Sequence, residues 1–256
     1  MFNIHKDIKG KEVFAFMEYS ERTYRQAVTA SGLFTFQVAV RETDLFIAAD
    51  TDLTEQAWTS ILKHRSHLES YIKKYPVFRH SLTPLPNDAL APPIVRTMLA
   101  AANTAGVGPM AAVAGAVADY VGRDLLAQTK NIIVENGGDI FMHTAAGRRV
   151  AVFAGQSPLS GKLTLEISPE DMPLGICTSS ATVGPSLSFG KADAVCVLSS
   201  SAALADAAAS QIGNLVRRAE NIKKALEVGG AIQGVQGIVI ILGDKLGVWG
   251  KIKFSE

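Results

Sequence analysis

Asp206 and Ser210 stand four residues apart in an alanine-rich stretch, ADAAAS at 205–210. On a helix that spacing sets a carboxylate and a hydroxyl on neighbouring turns of one face, both hard oxygen donors suited to a cation such as Mg²⁺. The plain alternative is an early-helix Asp complementing the helix dipole and a Ser chosen for its size. Just upstream, Thr178, Ser179 and Ser180 open a hydroxyl- and glycine-rich run that ends in Gly190-Lys191-Ala192-Asp193. Hydroxyls and glycine backbone N–H groups of this kind hold phosphates, carboxylates and metals.

Two further segments could contribute to such a site. Glu135-Asn136-Gly137-Gly138-Asp139 lies between the apolar runs 132–134 and 140–142. It reads either as a hairpin turn, because Asn-Gly takes positive φ readily, or as a binding loop in which Gly137 and Gly138 admit a ligand to the backbone while Asn136 and Asp139 make polar contacts. Residues 106–118 join Gly108 and Pro109 to a small-residue helix. Pro suits a first helical turn, so this N-terminus could bind an anion, or the small residues Ala112, Gly115 and Ala116 could serve tight packing.

Several familiar patterns fail. Gly106 to Ala111 fits G-x-G-x-x-A, but a helix-like segment precedes it where a dinucleotide fold requires a strand. Gly184 to Lys191 has five residues between its glycines where a P-loop has four, and Ala192 replaces the Mg-binding hydroxyl. His64 and His67, at i and i+3, read as a solvated helix face. No Ser-His-Asp set can be assigned from spacing.

The elements that must position these residues arrive in blocks. Residues 11–19 and 23–49 alternate apolar and polar, predicting an antiparallel meander with a turn at 42–44. Residues 54–75 carry apolar side chains at helical spacing, with Thr54 as N-cap and Pro76 as the stop. The proline-rich stretch 81–93 is the best connector and predicts a join between two lobes of a single domain spanning 1–256. Helices follow near 94–104 and 110–128. Strands are expected at 130–135, 139–144, 149–153, 163–167, 174–178 and 193–199, helices within 201–227, and closing strands at 237–242 and 246–254. Blocks without strict βαβ alternation indicate an α+β fold.

Composition excludes other classes. Twenty-five basic against 24 acidic residues give a net charge of +1, so bulk charge provides no footprint for nucleic acid. The two cysteines, Cys177 and Cys196, have no metal-ligand spacing. The N-terminal residues lack a signal-peptide core, and the small-apolar run 100–122 is interrupted by Asn103, Pro109 and Asp119. The expectation is a cytoplasmic protein without membrane or nucleic-acid partners, with self-association left open.

Taken in order, GAVADYVGRD (115–124), ENGGDI (135–140), TSS (178–180) and ADAAAS (205–210) resemble the landmarks of the ApbE flavin transferases over roughly residues 90–215. The chain looks closest to the shorter ApbE-like proteins, which carry a TSS-TVG-S-S-GKAD run like this one. The resemblance implies an ApbE-like, T-fold-related architecture of antiparallel sheets packed against helices. It also implies that FAD and Mg²⁺ are the cofactors and that FMN passes to a protein acceptor. It maps an FAD contact to Asp124, a Mg²⁺-ligating carbonyl to Ala127, the other metal ligands to Asp206 and Ser210, and a glycine loop to Asn136 through Asp139. The chain departs from that family pattern at three points. Its H-x-x-D-P-x-T-G segment is absent, Asp119 stands where the pattern has Lys, and position 185 is Pro. In place of those groups Lys191 would supply a positive charge and Asp193 a base, which makes them the candidate catalytic residues. Two alternatives follow: a non-catalytic nucleotide- or metabolite-binding protein, and a sulfur-assimilation enzyme component using Cys177.

Overall fold

The computed structural model describes residues 3–6, 12–15, 32–180 and 190–255. Strands β1 (Asn3–Lys6) and β2 (Glu12–Ala15) form a separate antiparallel pair. The remaining strands are β3 (Phe34–Val40), β4 (Thr43–Ala49), β5 (Ile132–Asn136), β6 (Asp139–His143), β7 (Arg148–Ala151), β8 (Thr164–Ile167), β9 (Leu174–Ser179), β10 (Ala194–Ser199), β11 (Val235–Leu242) and β12 (Lys245–Gly250). Eight of these build one sheet in the order β12-β11-β10-β9-β6-β5-β4-β3, and every neighbouring pair is antiparallel. Strands β7 and β8 make a small hairpin.

Period-two alternation gives the sheet two apolar faces. Leu45, Ile47, Val134, Phe141, Cys177 and Val197 face the helices, while Met142, Ile176, Cys196 and Val239 face the β7–β8 hairpin. Each fully buried Leu, Ile or Phe contributes about 1.5–3 kcal/mol. Cys177 and Cys196 therefore lie on opposite faces of adjacent strands, and both are free thiols.

The helical layer comprises α1 (Thr54–Lys74), α2 (Val77–His80), α3 (Pro93–Ala105), α4 (Val113–Leu125), α5 (Ala202–Leu215) and α6 (Asn221–Gly230). Helix α1 has the expected length, but Thr54 is its first residue and not its cap. Asp52 Oδ1 accepts from the Thr54 N–H at 3.0 Å and from its hydroxyl at 2.6 Å. Gly106 ends α3 in the left-handed conformation, φ 77°, so a helix does precede the G-x-G-x-x-A segment. The predicted helical stretch 201–227 is two helices, because Val216 leaves helical geometry.

Segment 81–93 does not part the chain into lobes. Strands from both sides of it share one sheet, and Ile61 and Phe78 belong to the same core as Met98 and Ala208. Helix α5 is the centre of the layer, packed on β9, β10, α3 and α4. Its alanines are explained by close approach: a Cβ added at Gly175 on β9 would stand 2.4 Å from Ala202 Cα. Among the described residues no single helix is long and apolar enough to cross a membrane.

Candidate functional site

The β5–β6 turn, the end of β9 and the start of β10 share one end of the sheet. The first turn of α4 and the middle of α5 meet them there. The β5–β6 segment is the expected hairpin, with Gly137 at φ 69° and Gly138 at φ 101°, values glycine adopts without steric cost. Glu135 Oε1 accepts from the Gly138 N–H at 2.7 Å and so braces the turn. The turn also reaches the helices, because Asn136 Nδ2 donates to the Ala114 carbonyl at 3.0 Å. Gly138 in turn accepts from the Thr178 N–H at 3.2 Å, tying β9 to the same corner.

For the start of α4 two readings stood open, an external anion at its N-terminus or tight packing through its small residues. The protein fills that place itself, since Asp206 Oδ2 accepts from the Gly115 N–H at 2.9 Å, where the dipole favours negative charge. Gly115 is needed for this approach: a Cβ there would lie 2.2 Å from the Ala202 carbonyl oxygen. Gly108 has a similar packing role, with a Cβ position 1.9 Å from the Ser81 carbonyl oxygen.

Asp206 keeps a partly exposed side chain, yet burial pushes its pKa up to about 7 against the opposing pull of the Gly115 and Ala114 N–H groups. Asp139, almost wholly buried, is pushed well above the carboxylate range by burial and then by the nearby Asp206 charge. Among the described residues no Lys or Arg is paired with either. Ser210 sits one turn after Asp206 and is also partly exposed. Among the described residues no three His, Cys, Asp or Glu side chains form a metal cluster. This donor set fits Mg²⁺, which takes one or two carboxylates and fills its other positions with water, hydroxyl or phosphate oxygens.

The structure does not bring all the expected residues to this corner. Asp124 faces α1, where its Oδ2 accepts from Ser60 Oγ at 2.9 Å, Lys63 Nζ at 3.2 Å and His64 Nε2 at 2.9 Å. Nine residues of helix turn it to the side of α4 opposite Gly115. His64 is accordingly buried against Asp124 and the Tyr120 ring, and only His67 lies on the solvated face. Ala127 follows the C-terminus of α4, whose length beyond Gly115 separates it from Asp206 by about 15 Å, too far to share an ion.

Asp193 is committed to structure: its Oδ2 accepts from the Gly243 N–H at 2.7 Å and holds the β11–β12 turn. Lys191 donates its backbone N–H to Val216 at 2.7 Å and leaves its side chain in solvent. Gly190 packs on the end of α5, where a Cβ would stand 1.9 Å from the Gly213 carbonyl oxygen, and Ser179 Oγ lies beside Gly213. Ser180 is buried at the end of β9. The TVG-S-S part of the run falls in residues 181–189, outside the described residues.

Asp119, the position occupied by Lys in the flavin transferase pattern, caps α5. Its Oδ2 accepts from the Ala202 N–H at 3.0 Å and from Ser201 Oγ at 3.3 Å, and Arg123 Nη2 lies 3.3 Å from its Oδ1. Sequence reasoning missed this role because the partners are more than eighty residues away. Cys177 donates Sγ–H to the Ala202 carbonyl at 3.2 Å, and burial, followed by the Asp139 charge, pushes its thiol pKa well up. Burial of this kind disfavours the thiolate that a sulfur-assimilation role for Cys177 would require.

An antiparallel sheet layered with helices and carrying this corner defines an ApbE-like α+β fold. A mutant of the flavin transferase ApbE from Vibrio cholerae is similar at TM-score 0.56 and 13% identity, covering 86% of this chain and 97% of that one. The apo flavinyl transferase ApbE of Pseudomonas stutzeri is similar at TM-score 0.53 and 14% identity, covering 85% and 93%. In sequence, a UPF0280 protein of Methanosarcina acetivorans is 41% identical over 238 residues, 92% of this chain and 93% of that protein. A second UPF0280 protein, from Methanocaldococcus jannaschii, is 42% identical over 225 residues, 86% and 91% of the two chains. The family described as AbpE bacteria matches residues 25–249, and the chain belongs to this ApbE-like family.

Proposed function

We propose that the corner formed by the β5–β6 turn, the end of β9, the first turn of α4 and the middle of α5 binds a flavin nucleotide with a divalent cation and transfers FMN from FAD to a protein hydroxyl. The observation that carries this reading is the convergence of Asp139 and Asp206, two desolvated carboxylates without a cationic side-chain partner among the described residues, beside Ser210. Carboxylates in that state favour a bound cation, because neutralisation relieves both the desolvation and their mutual repulsion. Mg²⁺, when bound, would neutralise the pyrophosphate oxygens of FAD.

The chain's own residues would position and exclude. The Gly115 N–H fixes the Asp206 carboxylate, and Asn136 locks the β5–β6 turn to α4. The exposed Gly137, which has no side chain, gives a nucleotide access to the backbone at the turn. In the transfer, the acceptor Ser or Thr oxygen bonds to the FMN-side phosphorus while the bond from that phosphorus to AMP oxygen breaks. AMP leaves with the electron pair, and the hydroxyl proton is released. Catalysis of such a step is mainly positioning and charge stabilisation.

The test is AMP release from FAD with Mg²⁺ and a Ser- and Thr-containing acceptor peptide, followed chromatographically together with flavin on the peptide, alongside thermal shifts with FAD, FMN, ADP and AMP. The reading expects Mg²⁺-dependent AMP release and a raised melting temperature. A second reading, nucleotide binding without turnover, is favoured by the engagement of Asp193 with Gly243, which removes the expected base. It predicts a thermal shift with no AMP. Absence of any shift overturns both.

A further inference from the structure

The net charge of +1 conceals a local imbalance at the end of α5. The backbone bond from Lys191 to Val216 sets Lys191 beside Arg217. The Arg217 and Arg218 N–H groups both donate to Asn221 Oδ1, at 3.2 and 3.0 Å, so the α5–α6 loop presents both arginines on a pinned backbone. All three side chains are exposed, and among the described residues none of them makes an ion pair. Of the nearby acids, Asp193 is bonded to Gly243 and Glu220 is exposed on the same loop. The C-terminal end of a helix carries only about half a negative charge, so complementing the α5 dipole accounts for less than one of these three cations.

The patch is placed to work with the candidate site. Leu215, the last residue of α5, follows Asp206 by nine residues, about 14 Å of helix, Arg217 lies two residues beyond it, and Gly190 links the patch to the same end of α5. Its form argues against a small ligand. Small-molecule sites bury most of the ligand, whereas all three of these side chains are exposed. Exposed cations around a site govern encounter and register with a macromolecule. Nucleic acid is disfavoured because the patch is small and the chain as a whole carries a net charge of only +1.

We propose that Lys191, Arg217 and Arg218 form a docking rim for an acidic segment of a protein partner. The proposal rests on the group-transfer reading, since it makes that partner the acceptor. Arginine forks match carboxylate geometry, and two adjacent arginines set a preferred register for a segment rich in Asp and Glu.

The experiment measures anisotropy of a fluorescein-labelled peptide of Asp, Glu and Ser against the full chain at low and near-physiological salt. A neutral peptide and a single-stranded RNA oligomer serve as comparisons. Binding of the acidic peptide should weaken with salt and fall about tenfold or more in R217E/R218E, while R217K/R218K, which keeps the charge and loses the fork, falls between that variant and the unaltered chain. Equal binding by R217E/R218E, equal binding of the neutral peptide, or tighter binding of the RNA would overturn the proposal. The FAD and Mg²⁺ thermal shift, measured on the same variants, separates the two readings. If FAD gives neither shift nor AMP while acidic-peptide binding still requires the arginines, the flavin reading fails and the docking rim stands. If the flavin readouts are intact and peptide binding ignores the arginines, the rim fails alone.

Discussion

The two ends of α4 treat carboxylates in opposite ways. At its N-terminal end Asp206, with Asp139 nearby, is desolvated, lacks a cationic partner among the described residues and is held by backbone N–H groups, so burial pushes both carboxyl pKa values up. At its C-terminal end Asp124 accepts from Ser60, Lys63 and His64, and those bonds outweigh burial and hold its pKa below the usual value. The same residue type is thus left wanting a cation at one end and is saturated at the other. The first arrangement suits ligand chemistry, and the second fastens α1 to α4.

The largest expected effect tests that division directly. Asp206→Asn should reduce Mg²⁺-dependent AMP release by on the order of 100-fold or more without lowering the melting temperature, because the amide oxygen can still accept from Gly115. A comparable loss in Asp124→Asn at unchanged stability would abolish the distinction between the two ends. Next, Gly115→Ala should cost about 1–3 kcal/mol in urea unfolding, since its Cβ would meet Ala202 backbone and not a movable side chain.

At the other end of the helix, His64→Ala should cost about 1–2 kcal/mol and leave AMP release unaltered. Asp124 has a depressed pKa, so its contribution is present above the unfolded carboxylate range and is lost as pH falls through the folded value. The variant should therefore show a flatter acid limb in a pH series of urea midpoints. Asp206 works in the reverse sense. Its pKa rises from 3.8 to about 7, so cation-free protein should lose stability as pH rises between those values, and both Mg²⁺ and Asp206→Asn should flatten that slope. The smallest effect concerns Cys177, which should alkylate slowly in the native protein and at an ordinary rate only after denaturation.

Most of the scaffold was legible in the chain. The helix at 54–75, the strands around the Asn136–Asp139 turn and the α+β class follow from periodicity and turn residues, because those signals act over a few positions. The ordered motifs also led to the right superfamily. The site was only half legible. Asn136, Asp139, Thr178 and Asp206 do meet, but the roles given to Asp124, Ala127 and Asp193 depended on the direction of a helix face or on a remote turn. One side of α4 carries Gly115 toward Asp206, and the other carries Asp124 toward α1. A linear motif contains both residues without saying which way either points.

By itself the sequence determined where the chain turns, which segments are helix or strand, and that small residues must crowd around α4 and α5, since backbone sterics and hydrophobic period are local properties. Only the tertiary structure decided which carboxylates are fed by hydrogen-bond donors and which are left short of charge. Asp119 meets Ala202 across 83 residues, and Asp206 meets Gly115 across 91. Burial and the direction of partner groups set a carboxylate's chemistry, and both come into being only when distant segments pack.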